Sequence, residues 1–289
     1  MIYDGLIAPF VEFAFMRRAL IGCLALSLGA TPIGVFLMLR RMSLMGDAMA
    51  HAVLPGAALG YLVSGLSVGA MTAGGIIAGL VVALLSGIVA RATVLREDAS
   101  LAAFYLISLA LGVLLVSTGG NTIDLLHVLF GAVLALDDAA LYLIASITSI
   151  TVLALALLYR PLVMECVDAV YLRSVSQLSP VAHYGFLMLV VINLVGGFHA
   201  LGTLMAVGIM ILPAAASRFW TRSISSLLLI AVVIALLCSY AGLLLSYHAS
   251  LPSGPAIILV LGIVYLASLM FGRDGIVTRR LRSIRHLEA

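Results

Sequence analysis

The sequence predicts an all-α polytopic membrane protein with about eight to nine transmembrane helices and one short broken or interfacial helix on the outer side. Three observations predict it. Of the 289 residues, 64% are hydrophobic and only 9% charged, too few charges to cover a soluble protein of this size; mean hydropathy is +1.27. Apolar stretches of about 17–25 residues, the length that crosses a bilayer as a helix, recur along the whole chain. The arginines gather at alternate ends of those stretches, as expected of a chain that threads a membrane repeatedly. No stretch marks off a soluble domain and no internal repeat is visible, so 1–289 is expected to form a single transmembrane domain.

Taken in order, the spans fall at 18–39, 44–64, 71–91, 99–117, 139–159, 181–197, 199–217, 224–247 and 254–271. The first seventeen residues are too short and too broken by Gly5 and Pro9 to cross, and are expected to lie in the outer interface. One side of the membrane takes Arg40, Arg41, Arg91, Arg96, Arg160, Arg173, Arg218, Arg222 and the tail from Arg273 to Arg285; only Arg17 and Arg18 fall on the other. The positive-inside rule makes the arginine-rich side cytoplasmic, with the N-terminus outside and the C-terminus inside. Two spans share 181–217 around the glycines of "VGGFHALG"; a count of eight would move the N-terminus. The stretch 121–138 is too short to cross and fits a broken outer helix, a feature that survives at membrane depth only where it lines protein or a wet cavity. On the cytoplasmic side, 161–180 is mixed in polarity and predicts a short amphipathic helix at about 167–177. Residues 272–289 form a cytoplasmic tail.

All fifteen basic residues are arginine. A phosphate-binding P-loop needs its lysine, so the chain carries no standard ATPase site, and any work drawn from ATP must come from another chain. The three cysteines, Cys23, Cys166 and Cys238, have no paired spacing and read as small apolar residues. "LIGC" at 20–23 imitates a lipoprotein cleavage box, but only four residues separate Cys23 from Arg17 and Arg18, too few for a signal sequence; it belongs to the first span.

The second span holds the chemistry. "SLMGDAMAHAVLPG" (43–56) places Asp47 and His51 four residues apart, on one helix face. A carboxylate in a membrane helix costs about 2.5–3.5 kcal/mol on insertion scales, so such residues face a cavity or a partner. A hard oxygen beside a borderline nitrogen suits Zn²⁺, Mn²⁺ or Fe²⁺; the alternatives are an Asp–His hydrogen bond that only packs helices, or an Asp held near the cytoplasmic end of its span. Two ligands do not make a site. Asp124 and His127, three apart and so on one face, and His199, between glycines, are the further candidates. His248 reads as interfacial, and His183 and His286 as ordinary cytoplasmic-side residues. Met42, Met45 and Met49 surround the pair and would favour Cu(I) as ligands, but methionine is common filler in apolar helices.

Three stretches in order, "RRMSLMGDAMAHAVLPGAALG" (40–60), "GTLMAVGIMILPAAASR" (202–218) and "LPSGPAIIL" (251–259), resemble the permease subunit of the zinc/manganese/iron class of bacterial ABC importers. "DLLHVLFGAVLAL" (124–136) is similar to the stretch before that family's middle span. The resemblance implies a multi-pass protein of the bacterial cytoplasmic membrane that is not itself an enzyme. Its implied partners are two cytoplasmic ABC ATPase subunits, which bind the ATP, an extracytoplasmic metal-binding protein, and a second permease copy, expected as a homodimer in membrane lipid; no nucleic acid is expected. It implies that Asp47 and His51 match the family's metal-relay residues and that 168–180 matches the helix that couples to the ATPase, with Asp168, Ala169, Val170, Tyr171, Leu172 and Arg173 at its core. No permanent cofactor is expected, only transported metal. If His127 is a ligand, its imidazole favours zinc, and the expected order is zinc, then manganese. The rival reading is a secondary transporter that moves metal alone, driven by protons through Asp47 and His51.

Overall fold

A backbone in hydrocarbon must pair its N–H and C=O groups within the protein, and a helix does so locally. The computed structural model describes residues 6–65, 67–94, 97–118 and 136–278. Twelve helices and no strand occur among the described residues. They are α1 (Ala8–Glu12), α2 (Ala14–Leu39), α3 (Met45–Ala52), α4 (Leu54–Ser64), α5 (Val68–Ala92), α6 (Glu97–Thr118), α7 (Asp138–Val167), α8 (Ala169–Val175), α9 (Leu178–Leu201), α10 (Thr203–Ser217), α11 (Ile224–Ala249) and α12 (Ser253–Phe271). Seven are long and apolar enough to cross a membrane. Counting the α3–α4 pair and the shorter apolar helix α10 as crossings brings the total among the described residues to nine, the upper figure that hydropathy predicts.

The core is built on α2, α9 and α10. Ile33 and Leu37 of α2, Val190 and Val195 of α9, and Ala206 and Ile209 of α10 are almost fully enclosed. Between membrane helices the hydrophobic effect gives little, so packing and side-chain hydrogen bonds hold them together. Thr31 of α2 donates to the Ile209 carbonyl of α10 at 3.1 Å, and Thr148 of α7 donates to the Ala25 carbonyl of α2 at 2.9 Å. Asn193 of α9 donates to Thr151 of α7 at 2.6 Å. The rest of the surface is apolar, with Leu85, Leu114, Leu153, Leu237 and Leu259 all turned outward, as lipid contact requires.

The two ends of the bundle differ as the arginine distribution predicts. At one end Arg91, in the last turn of α5, pairs with Glu165 of α7 at 2.9 Å. Arg40, just past α2, bonds the ring of His183 on α9, and Arg222 pairs with Asp274 beyond α12 at 2.9 Å. At the other end Arg18 pairs with Asp138 at 3.1 Å. There Phe10 of α1 stacks on Tyr240 at 5.2 Å, and the Tyr240 hydroxyl donates to the Leu6 carbonyl, so the N-terminal segment rests on the outer end of α11.

Three boundaries differ from expectation. The segment 181–217 forms the two helices expected, but the break falls at Gly202 rather than at 198; its φ of 90° is a turn that a side chain would strain. The fifth span does not stop at 159. Helix α7 continues through Pro161 to Val167; at about 1.5 Å per residue it is about 45 Å long, so its last turns stand clear of a hydrocarbon core about 30 Å thick. The cytoplasmic connection therefore begins at Asp168, not 161. The second span, predicted as one helix, is two.

Candidate functional site

Pro55 explains the break. It has no N–H to donate to the carbonyl of His51, four residues back, and its ring favours the first turn of a new helix. The chain accordingly stops one helix at Ala52 and starts the next at Leu54, with Pro55 in its first turn. The break is supported from α6, where the Ser108 hydroxyl donates to the Ala52 carbonyl at 2.8 Å. It lies deep. Counted at about 1.5 Å per residue, Ser108 is about 16 Å along α6 from its arginine-side end, close to mid-membrane.

Helix α3 turns two faces to its surroundings. Met45 and Met49 are enclosed to 1% and 0% exposure, and Met42, just before the helix, to 3%; Gly46 lies against Val207, Met210 and Ile211 of α10. The methionines are core filler, and the copper reading has no support from their placement. Asp47 is exposed on the single chain and His51 half-buried. The imidazole stands beside the Tyr105 ring of α6, 6.4 Å between centroids. A carboxylate and an imidazole one turn apart, on the uncovered side of a broken helix, can exchange a cation's water shell for protein ligands.

Among the described residues no group of three or more His, Cys, Asp or Glu side chains comes together to hold a metal. Asp124 and His127 lie outside the described residues. The backbone of His199 belongs to the last turn of α9, and its side chain is outside the description. The structure therefore places Asp47 and His51 one turn apart on one helix, with no third candidate grouped beside them among the described residues. His248 is exposed at the outer end of α11, as expected of an interfacial residue.

At the arginine-rich end, α8 forms where the amphipathic helix is predicted. Asp168 caps it by accepting from the Tyr171 N–H at 2.8 Å. Leu172 is buried against the bundle, whereas Val170, Tyr171 and Val175 are exposed and Arg173 lies in the last turn. Sequence reasoning missed the polar group beneath it. Glu165 is only 6% exposed and His183 2%, so His183 is no ordinary surface residue. The available signal was a carboxylate and an imidazole inside otherwise apolar runs, "LVMECV" and "VAHYGF". Tyr105 and Ser108, which flank the site from α6, carry no such signal.

The pattern of the ABC 3 transport family matches residues 12–272. The chain belongs to that family. It is 32% identical over 257 residues to the manganese import system permease protein ScaB of Streptococcus parasanguinis, covering 89% of this chain and 90% of that one. It is 29% identical to a probable iron transport system membrane protein of Haemophilus influenzae, covering 94% and 98%. Its fold matches a chain of PsaBC from Streptococcus pneumoniae in complex with Fab, with TM-score 0.82 and 27% identity over 98% of this chain and 100% of that one. As a member of the ABC 3 transport family the chain is the membrane permease of a metal importer, a multi-pass protein of the bacterial cytoplasmic membrane. ATP hydrolysis is the work of a partner ATPase, and the permease is not itself an enzyme.

Proposed function

We propose that the chain carries Mn²⁺, with Fe²⁺ as the next cargo, through a pair of permease subunits by alternating access, driven by separate ATPases and supplied by an outer metal-binding protein. The observation that carries this is Asp47, a carboxylate exposed in the first turn of α3, one turn from His51. The expected order, zinc before manganese, rested on a second imidazole at His127, which lies outside the described residues. The relatives described above are named for manganese and iron. A carboxylate ligand such as Asp47 also suits Mn²⁺, which binds more weakly than the later metals of the series, and a transported ion must be held loosely enough to leave.

A second permease copy, in our reading another copy of this chain, faces Asp47 and completes the path. An exposed carboxylate within a membrane-crossing segment needs water or protein opposite it, since lipid would exact the cost of a bare charge. The exposed residues of α8 receive the ATPase. ATP binding moves α8, and the motion reopens the path on the cytoplasmic side. The test is elemental analysis of vesicles holding permease, ATPase and binding protein, offered Mn²⁺, Fe²⁺ and Zn²⁺ at equal concentration. Manganese accumulation that disappears with a hydrolysis-dead ATPase is the expected result. Zinc accumulation would restore the first-ranked cargo of the sequence reading; accumulation that survives the dead ATPase would restore the proton-driven transporter.

A further inference from the structure

Helix α8 leaves the bundle after α7 and returns into α9, and its neck is closed. Glu165, three residues before the cap Asp168, accepts from the Ser179 hydroxyl at 2.9 Å through one carboxylate oxygen. Ser179 stands three residues after Ser176, where α8 ends. The other oxygen of Glu165 accepts from Arg91 of α5 at 2.9 Å. The guanidinium of Arg91 also lies over the Tyr184 ring of α9 at 5.3 Å. Immediately before Tyr184 on the same helix, His183 bonds Arg40, which lies over the Phe186 ring at 5.1 Å. Arg40 opens the turn that leads into α3, seven residues before Asp47 along the chain.

A loop tethered only by its two chain ends would absorb a push on α8. We infer that Glu165, clamped by Arg91 and Ser179, is a positioning residue that turns α8 and its two flanking helices into one rigid joint, and that this joint, continued through His183 and Arg40, carries displacement of α8 to the helix bearing Asp47. This rests on the proposal that α8 receives the ATPase. The physical ground is the low polarity around Glu165: a buried carboxylate stripped of its guanidinium is poorly tolerated, so the helices cannot part there at small cost. The joint passes through packed side chains and hydrogen bonds that join α5, α7 and α9 and reach the end of α2, the kind of contiguous connection through which coupling travels.

The test uses the assembled complex of permease, ATPase and binding protein in vesicles, and reads metal taken up per ATP hydrolysed. Glu165→Gln and Ser179→Ala are each expected to lower that ratio by about tenfold, the size of an ordinary coupling free energy, while ATPase subunits still co-purify and still hydrolyse ATP. Because a lone change at Glu165 could also loosen the fold, the paired variant Arg91→Met with Glu165→Leu is measured beside it. Replacing both ions by apolar groups restores thermal stability and, if the clamp transmits motion, leaves the ratio low. A ratio that recovers with stability makes the clamp merely structural and overturns the inference, as does a wild-type ratio in Glu165→Gln. Tyr171→Ala and Arg173→Glu on the face of α8 separate the two proposals. If they abolish ATPase capture while Glu165→Gln couples normally, the joint alone fails. If they leave capture and coupling intact, the docking reading fails and takes the joint with it.

Discussion

Asp47 and Met49 stand two residues apart on α3 and make opposite predictions. The carboxylate is exposed on the single chain and makes no bond on which folding depends, so Asp47→Ala is expected to change stability by no more than about 0.5 kcal/mol and to abolish metal uptake. Wild-type uptake in that variant would remove the relay. Met49 is fully enclosed. Its truncation to alanine is expected to cost about 2–5 kcal/mol, whereas Met49→Leu keeps the volume, costs less than about 1.5 kcal/mol, and should transport normally. Loss of transport in a stable Met49→Leu protein would mean that the thioether touches the metal after all. Composition alone does not separate the two residues, since both sit in a run of small and apolar neighbours. Their different roles follow from which face of α3 meets α10.

The break between α3 and α4 places those residues, and Pro55 makes the break. Pro55→Ala supplies the missing N–H, so α3 and α4 are expected to join into one helix and swing Asp47 and His51 relative to Tyr105 and Ser108. Uptake should fall several-fold while thermal stability holds or rises, since an interior proline costs a helix about 3 kcal/mol; unchanged uptake would show that the break does not position the site. Close packing holds α4 in place beyond the break: a Cβ at Gly56 would meet the Gly74 backbone of α5, the small-residue contact that lets membrane helices approach. Much of this was legible in the sequence. The spans and their order follow from hydropathy because each apolar run must satisfy its own backbone, and the pairing of Asp47 with His51 follows from helical spacing. The break was written in "VLPGA" and overlooked, because a proline near the middle of an apolar run can kink a helix as readily as end it. The extension of α7 past Pro161 was illegible for the complementary reason: the helix is already long enough to cross before the proline, and a proline followed within a few residues by Glu165 and Asp168 looks like the start of a loop. Glu165 stood out as a carboxylate in an apolar run, but its partners could not be read, since they lie 74 and 14 residues away.

Across the whole molecule the count of crossings fixes which way the chain faces, and the count depends on α10. Its 15 residues make a helix of about 22 Å, shorter than a hydrocarbon core of about 30 Å. Yet the helix enters at Gly202 beside the outer end of α9 and leaves toward Arg218 and Arg222, whose partner Asp274 follows α12. If α10 crosses, five crossings, α6, α7, α9, α10 and α11, lie between Val94 and Ala249, and the two residues are on opposite sides of the membrane. If it does not, the number is four and they share a side. Both side chains are exposed. Of the native cysteines, Cys23 and Cys238 are buried, so only Cys166 need be replaced by serine before labelling. A membrane-impermeant thiol reagent applied to intact spheroplasts is expected to modify Ala249→Cys, and to reach Val94→Cys only after lysis. Labelling of both in intact cells would mean that α10 turns back within the membrane. Labelling of Val94→Cys alone would invert the chain and put α8 outside, where no ATPase could reach it.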